Sequence, residues 1–301
     1  MKLMPVMTTS FLMAVGLSNA PAEPLDWRFR SDGTISYLDQ GLEHYFGENG
    51  KPVDYVKAEH YFAKACEVNM AAGCWHLGYM LKQGEGMTKD PKRATRLFDR
   101  SCSMGYAPAC NDLGVQFEHG HGVKADRARA AVLYETACEG KDGNGCVNLG
   151  LLLTTTARTA SETARVRQLF ETACVLENGR GCDRTAQLYF HGVGVEKDRL
   201  KAAELWERGC AFNEKEACYR LALVSYRGWG IEKDRAGAVE HFDKACRLGH
   251  AAACGDLAAL YRNGDGVKKN KRVARRYAET ACALGHSRAC ADYGLSEKNT
   301  R

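Results

Sequence analysis

Cys74, Leu77, Gly78 and Leu81 stand at helical intervals, and Cys254, Leu257, Ala258 and Tyr261 repeat the pattern near the other end of the chain. Residues zero, three, four and seven positions on from a common start share one face of an α-helix, so this stripe reads as core. The small residue at the fourth position lets a neighbouring helix approach closely. The second, fifth and ninth positions lie roughly 180° away at 3.6 residues per turn, and they are largely polar. His76, Asp112, Asn148, Arg184, Arg220 and Asp256 occupy the second; Gln83, His119, Thr155, His191, Arg227 and Asn263 occupy the ninth. That row is either a solvated helix face or the lining of a groove.

The stripes recur because the chain is a repeat. All 14 cysteines fall in pairs, Cys66/Cys74, Cys102/Cys110, Cys138/Cys146, Cys174/Cys182, Cys210/Cys218, Cys246/Cys254 and Cys282/Cys290, with steps of 8 and 28 and a period of 36. A fixed period of this size marks an array of supersecondary units. Ten and twelve residues after the second cysteine come paired glycines: Gly84 and Gly86, Gly120 and Gly122, Gly192 and Gly194, Gly228 and Gly230, Gly264 and Gly266. Asp90, Asp126, Asp198, Asp234 or Asn270 follows, and then an alanine column from Ala94 to Ala274. Each unit reads as a helix, a G-x-G turn, a capping Asp or Asn, and a second helix ending at cysteine.

A continuous helix would hold thiols eight apart at roughly 12 Å, beyond the ~7 Å Cα limit for a bridge. Stretches such as "RLGHAA" carry a glycine where a helix stops, so the chain can turn and bring the thiols together. Structural zinc favours closer spacing, a C-x-x-C redox pair is absent, and free buried cysteines have no reason to come in seven equal pairs. Local disulfides are the favoured reading, each tying the end of one helix to the start of the next. In the chain-entropy account, closing so short a loop contributes about 2.5 kcal/mol.

Leu38 takes the cysteine position one period early, with Asp54, Ala58, Tyr61 and Phe62 in register after it. Seven hairpins are therefore expected, beginning near residues 38, 74, 110, 146, 182, 218 and 254, with a cap over 290–301. One unit departs. After Cys146 the turn reads "TTTARTASETA", with Thr156 and Arg158 in place of the glycines at unchanged length. Drift in an exposed loop is the simpler account; a contact point for a partner is the other.

The first 22 residues, "MKLMPVMTTSFLMAVGLSNAPA", run from a basic start through an apolar stretch to small residues, the form of a secretory signal peptide cleaved after Ala22. Residues 23–37 then form an N-terminal linker and 38–301 the repeat domain. An exported, soluble, monomeric protein of the periplasm or exterior is expected, without a membrane span in its mature chain. With 45% hydrophobic and 26% charged residues the chain can fold. A net charge of +5 without any run of five basic residues gives no nucleic-acid footprint.

The 36-residue unit, as in "HGVGVEKDRLKAAELWERGC" and "NGDGVKKNKRVARRYAETAC", resembles the Sel-1-like repeat, a relative of the tetratricopeptide repeat. With a cysteine pair at every junction it resembles more narrowly the secreted cysteine-rich Hcp family, over residues 38 to about 295. The resemblance implies an all-α, right-handed α/α superhelical solenoid with a concave groove and a disulfide at each helix pair. Members of that family are often labelled β-lactamases or penicillin-binding proteins, and the wider class serves as scaffolds for peptides and proteins.

The residues themselves show no catalytic motif, although residues brought together by folding could escape such a search. No Ser is followed by Lys at the third position after it, and S-D-N, K-T-G and G-x-S-x-G are absent. His119 and His121, with Glu118 beside them, are the one close histidine pair, at a turn where polar residues are ordinary. No metal or cofactor is expected. The reading is an exported scaffold that binds a peptide, a protein or a peptidoglycan fragment in its groove, with β-lactam hydrolysis or capture as the alternative. The groove residues it singles out are His76, Asp112, Asn148, Arg184, Arg220, Asp256, His191 and Arg227, with Asn148, Arg184 and Arg220 suited to gripping backbone amides and carboxylates.

Overall fold

A computed structural model describes residues 36–48, 50 and 52–295. The expected signal peptide, most of the linker and the last residues of the cap lie outside the described residues. The first helices of the seven hairpins are α1 (Tyr37–Phe46), α3 (Ala71–Gln83), α5 (Ala107–His119), α7 (Gly143–Thr154), α9 (Gly179–His191), α11 (Lys215–Arg227) and α13 (Ala251–Asn263). Their partners are α2 (Tyr55–Glu67), α4 (Pro91–Ser103), α6 (Arg127–Glu139), α8 (Ala160–Val175), α10 (Arg199–Ala211), α12 (Arg235–Arg247) and α14 (Lys271–Ala283), and α15 (Ser287–Asp292) closes the stack. This is the all-α solenoid the period predicts.

The hairpin starts lie close to the second cysteines but not at them. From α3 onward each first helix, and α15, opens three residues before its second cysteine, so Cys74, Cys110, Cys146, Cys182, Cys218, Cys254 and Cys290 all lie in the first turn. The cap likewise starts at Ser287 and not at Cys290. The physical reason is where the chain can be capped. Glu214 and His286 accept from the amides of Glu216 and Ala289, and Pro108 suits the first turn of α5. These stops sit about a turn ahead of the thiols, so the cysteine column marks the staple and the cap marks the helix.

Other helix ends follow local chemistry too. Gly84, Gly120, Gly192, Gly228 and Gly264 end the first helices in the left-handed region. Asp54, Asp90, Asp126, Asp198, Asp234 and Asn270 accept hydrogen bonds from the first-turn amides of the second helices. The second glycine of each turn has another task. Gly122 has φ of 76°, and a Cβ there would collide with the carbonyl oxygen of Pro91, at the start of the preceding unit's second helix. The turn thus packs against the repeat before it.

All seven cysteine pairs are disulfides: Cys66–Cys74, Cys102–Cys110, Cys138–Cys146, Cys174–Cys182, Cys210–Cys218, Cys246–Cys254 and Cys282–Cys290, with Cα–Cα separations of 4.5–4.9 Å. Each bridges the last turn of a second helix to the first turn of the helix after it, so each is a staple between units. The core runs through the small stripe: Leu77, Leu81, Leu113, Leu149 and Leu257 are buried, as are Phe62, Phe98, Tyr134, Trp206 and Phe242 of the second helices. Gly78 and Gly114 meet those aromatics closely enough that a Cβ would collide with Phe98 and Tyr134.

The departing unit replaces the G-x-G turn with a capping box. The Thr159 side chain accepts from the Glu162 amide, and the Glu162 carboxylate accepts from the Thr159 amide. The buried core changes here as well. One cluster spans Leu38 to Leu149 and another Cys174 to Ala289; Cys146, Val147 and Ala173 form a small separate cluster between them, and Val166 and Phe170 of the same unit are buried as well.

Candidate binding surface along the first helices

First helices of neighbouring units pack on one another, α5 on α7, α7 on α9 and α9 on α11, in addition to packing on their own partners. In a stack of hairpins the row whose members approach one another lies on the inside of the curve.

A ladder of side chains runs along this inner row. The residue just after the second cysteine of one unit reaches the residue two after it in the next. Trp75 Nε1 donates to Asp112 at 2.7 Å. Asn148 donates its amide to Asn111 at 2.7 Å. Arg220 Nε lies 3.1 Å from Asp183, and Tyr219 engages Asp256. Asp183 is the most enclosed rung. It also accepts from Trp206 Nε1 at 3.0 Å and Gln187 at 2.7 Å, and burial pushes its pKa up against the pull of Arg220. Burial likewise raises Asp256, and together with Asp256 it pushes the Tyr219 phenol up to about 12.

Five of the residues singled out from the sequence therefore take part in contacts between helices. Asp112, which Lys82 also approaches at 3.4 Å, Asn148, Arg220 and Asp256 are rungs. The His76 ring stacks on Phe62 with centroids 4.7 Å apart, and desolvation lowers its pKa to about 4. Two stand at the exposed ends of their helices: His191, edge-on to Phe190, and Arg227, whose guanidinium sits 4.6 Å over the Trp229 ring. Arg184 is half-buried and makes no hydrogen bond or ion pair among the described residues. His119 and His121 approach each other, but Glu118 accepts from Tyr134 at 2.7 Å. Among the described residues no group of three His, Cys, Asp or Glu could hold a metal.

The partners of the ladder, Trp75, Asn111, Asp183 and Tyr219, escaped the sequence reading. The signal was present as a second interval, 37 residues rather than 36, linking one column to its neighbour in the next unit.

Two cavities open along seams of this row. One, of about 280 Å³, lies between α11, α12 and α13 and is lined by Tyr219, Tyr226, Arg227, Asp256 and Asp265. The other, of about 300 Å³, lies between α7, α8 and α9 and is lined mainly by Leu151, Val166, Phe170, Leu188 and Val193, with Arg184 beside them.

A family model described as the Sel1 repeat matches residues 41–69, 71–106, 107–142, 177–211, 215–250 and 251–286. The unit it leaves out is the departing one. No curated protein matches the chain significantly. Among solved structures, a Sel1 repeat protein from Oxalobacter formigenes is similar at 25% identity and a TM-score of 0.71, covering 81% of this chain and 98% of its own. A protective antigen of uropathogenic Escherichia coli is similar at 25% identity and a TM-score of 0.61 over 86% of this chain; this chain spans only 55% of that protein's length. Helicobacter pylori cysteine-rich protein B is 34% identical over 43% of this chain and 93% of its own, with a TM-score of 0.37. The six matched repeats, the stapled hairpins and the continuous first-helix row have one reading: this chain belongs to the Sel1 repeat family.

Proposed function

We propose that the protein is an exported scaffold whose first-helix face binds an extended peptide, a segment of a protein partner, or a peptide-bearing cell-wall fragment. Sel1 repeats are a protein-binding class of scaffold, and seven disulfides suit a chain that folds in an oxidising compartment. Among the described residues no helix is long and apolar enough to cross a membrane. The observation that carries the reading is the pair of cavities at equivalent seams of the inner row, each with a cation at hand, Arg184 in one and Arg227 in the other. A ligand lying along that row would meet pockets at a regular rise, the way solenoids read extended chains.

Peptides selected from a random library on the oxidised protein test this. Their affinity is expected to fall at least about tenfold, one charged hydrogen-bonded contact, in an Arg184→Ala/Arg227→Ala variant. Arg275→Ala, on the far side of the last hairpin, is expected to leave it unchanged. Equal binding by both variants would remove the first-helix face from the proposal. Expression of the full chain in a bacterial host should yield periplasmic protein beginning at Glu23, and cytosolic protein beginning at Met1 would overturn export. The β-lactam alternative rests on the resemblance alone. Turnover of a chromogenic cephalosporin that is lost in an Arg184→Ala/Arg220→Ala variant would put chemistry in place of binding.

A further inference from the structure

Three departures from the repeat meet at one seam. Val147 occupies the ladder column held by Trp75, Asn111, Asp183 and Tyr219 in other units, and a valine cannot hydrogen-bond to the next helix. Arg184, the residue it would have engaged, is left without a hydrogen-bonded partner among the described residues. Thr154 stands where other first helices carry Lys82, Glu118, Phe190, Tyr226 and Arg262, so a small side chain lines the cavity at this point. The glycine-less turn brings Ala157 to the rim in place of a larger residue such as Glu85, Trp229 or Asp265. Together they give the cavity of about 300 Å³ an aliphatic and aromatic floor beside one half-buried arginine.

We propose that this cavity receives the C-terminal residue of a peptide, its apolar side chain on Val166, Phe170 and Leu188 and its free carboxylate on Arg184. The inference rests on the peptide-binding reading above and assigns the point at which the peptide ends. The chemistry follows from the lining. Arg184 is half-buried and feels the charge of Asp183 without hydrogen-bonding to it; a guanidinium in that position favours an anion that can take two of its N–H donors, and a carboxylate has that geometry. The floor demands an apolar group immediately beside that anion, and the last residue of a peptide supplies both. The volume sits at the lower end of ligand cavities, which suits one large side chain and excludes a long acyl chain. The seam between α11 and α13 makes the contrast. There Asp256 and Asp265 line a cavity of similar size, and their charge repels a carboxylate.

The test uses the oxidised full chain, isotope-labelled for amide NMR, titrated with N-acetylphenylalanine, its C-terminal amide and decanoate. Saturable shifts at the amides of Val166, Phe170 and Leu188 are expected with the acid, with binding about tenfold weaker for the amide, the size of one charge-assisted contact. Arg184→Gln should abolish that preference. Val147→Asp, which supplies Arg184 with the partner Asp183 gives Arg220, should abolish it while leaving the cavity open. Either variant retaining the preference would overturn the assignment, as would equal binding of acid and amide, or no saturable shift up to about 10 mM. Decanoate binding more tightly than the acid would replace the peptide end with a general apolar anion. If library-selected peptides shift other first helices while this seam stays silent, the broader reading stands and this one fails.

Discussion

Lys141 and Glu177 hold φ of 66° and 60°, in the left-handed region, at the column where Gly105, Gly249 and Gly285 stand in other units. A side chain there costs roughly 1–2 kcal/mol, partly offset in stability by the lower freedom it leaves the unfolded chain. Both residues are exposed. Glu177→Gly and Lys141→Gly are each expected to stabilise the protein by about 0.5–1 kcal/mol, read as a higher denaturant midpoint. A lower midpoint would show that these side chains make contacts worth more than the strain. His76 makes a pH-dependent contribution of known sign. Its folded pKa of about 4 lies below the unfolded value of 6.5, so the folded state resists protonation. The stability it confers is complete above pH 6.5 and is lost as pH falls toward 4. Asp183 and Asp256, raised by burial, act in the opposite sense over the carboxylate range. Comparing wild type with His76→Gln isolates the histidine: the difference in stability between pH 7 and pH 4.5 should shrink by roughly 2 kcal/mol. An unchanged pH profile would mean that water reaches the ring.

At the level of elements, the G-x-G turn joins two functions that the period alone does not separate. Its first glycine stops a helix; its second is a surface of contact with the previous repeat. Gly122→Ala should therefore cost at least about 2 kcal/mol, the left-handed penalty plus displacement of a backbone carbonyl that cannot move like a side chain. Gly105→Ala, where nothing lies within 4 Å of the new methyl, should cost only the backbone term, about 1 kcal/mol. Equal losses for the two would deny the inter-repeat role of the turn. The disulfides act at the complementary junction. With the glycine turn, where a unit carries it, holding one side of a hairpin against its predecessor and a staple on the other, hairpins of 36 residues stack without a deep core.

For the whole molecule, the departing unit is where unfolding is expected to divide. Each repeat contacts chiefly its neighbours, so stability is a sum of local and nearest-neighbour contributions. The seam between residues 146 and 173 carries the smallest cluster and lacks the packed glycine turn. Denaturation of the oxidised chain is expected in two steps, with the segment following Thr154 the first to lose amide protection and the first cut in limited proteolysis. One cooperative transition with uniform protection would show that the Cys174–Cys182 staple couples the halves fully. The same seam bears the proposed pocket.

The sequence by itself determined the repeat, because period, capping residues, turn glycines and paired cysteines are local features with fixed offsets. Asp90 caps α4 and Cys66 meets Cys74 for reasons legible within one unit. It also marked the departing turn. Helix starts were legible only to within a turn, since the invariant cysteines mark the staple while the caps four residues ahead of them, such as Tyr106, Glu214 and His286, vary in residue type. What the sequence could not decide was the use of the polar row. The second-position residues look solvated on a single helix, yet Asp112, Asn148, Arg220 and Asp256 are spent on neighbouring units. Only the offset with which one hairpin stacks on the next, a tertiary quantity set by glycine contacts and staples, brings residues 37 apart together. The same offset pairs the column of Arg184 with that of Val147, which cannot hydrogen-bond, and Arg184 makes no hydrogen bond or ion pair among the described residues.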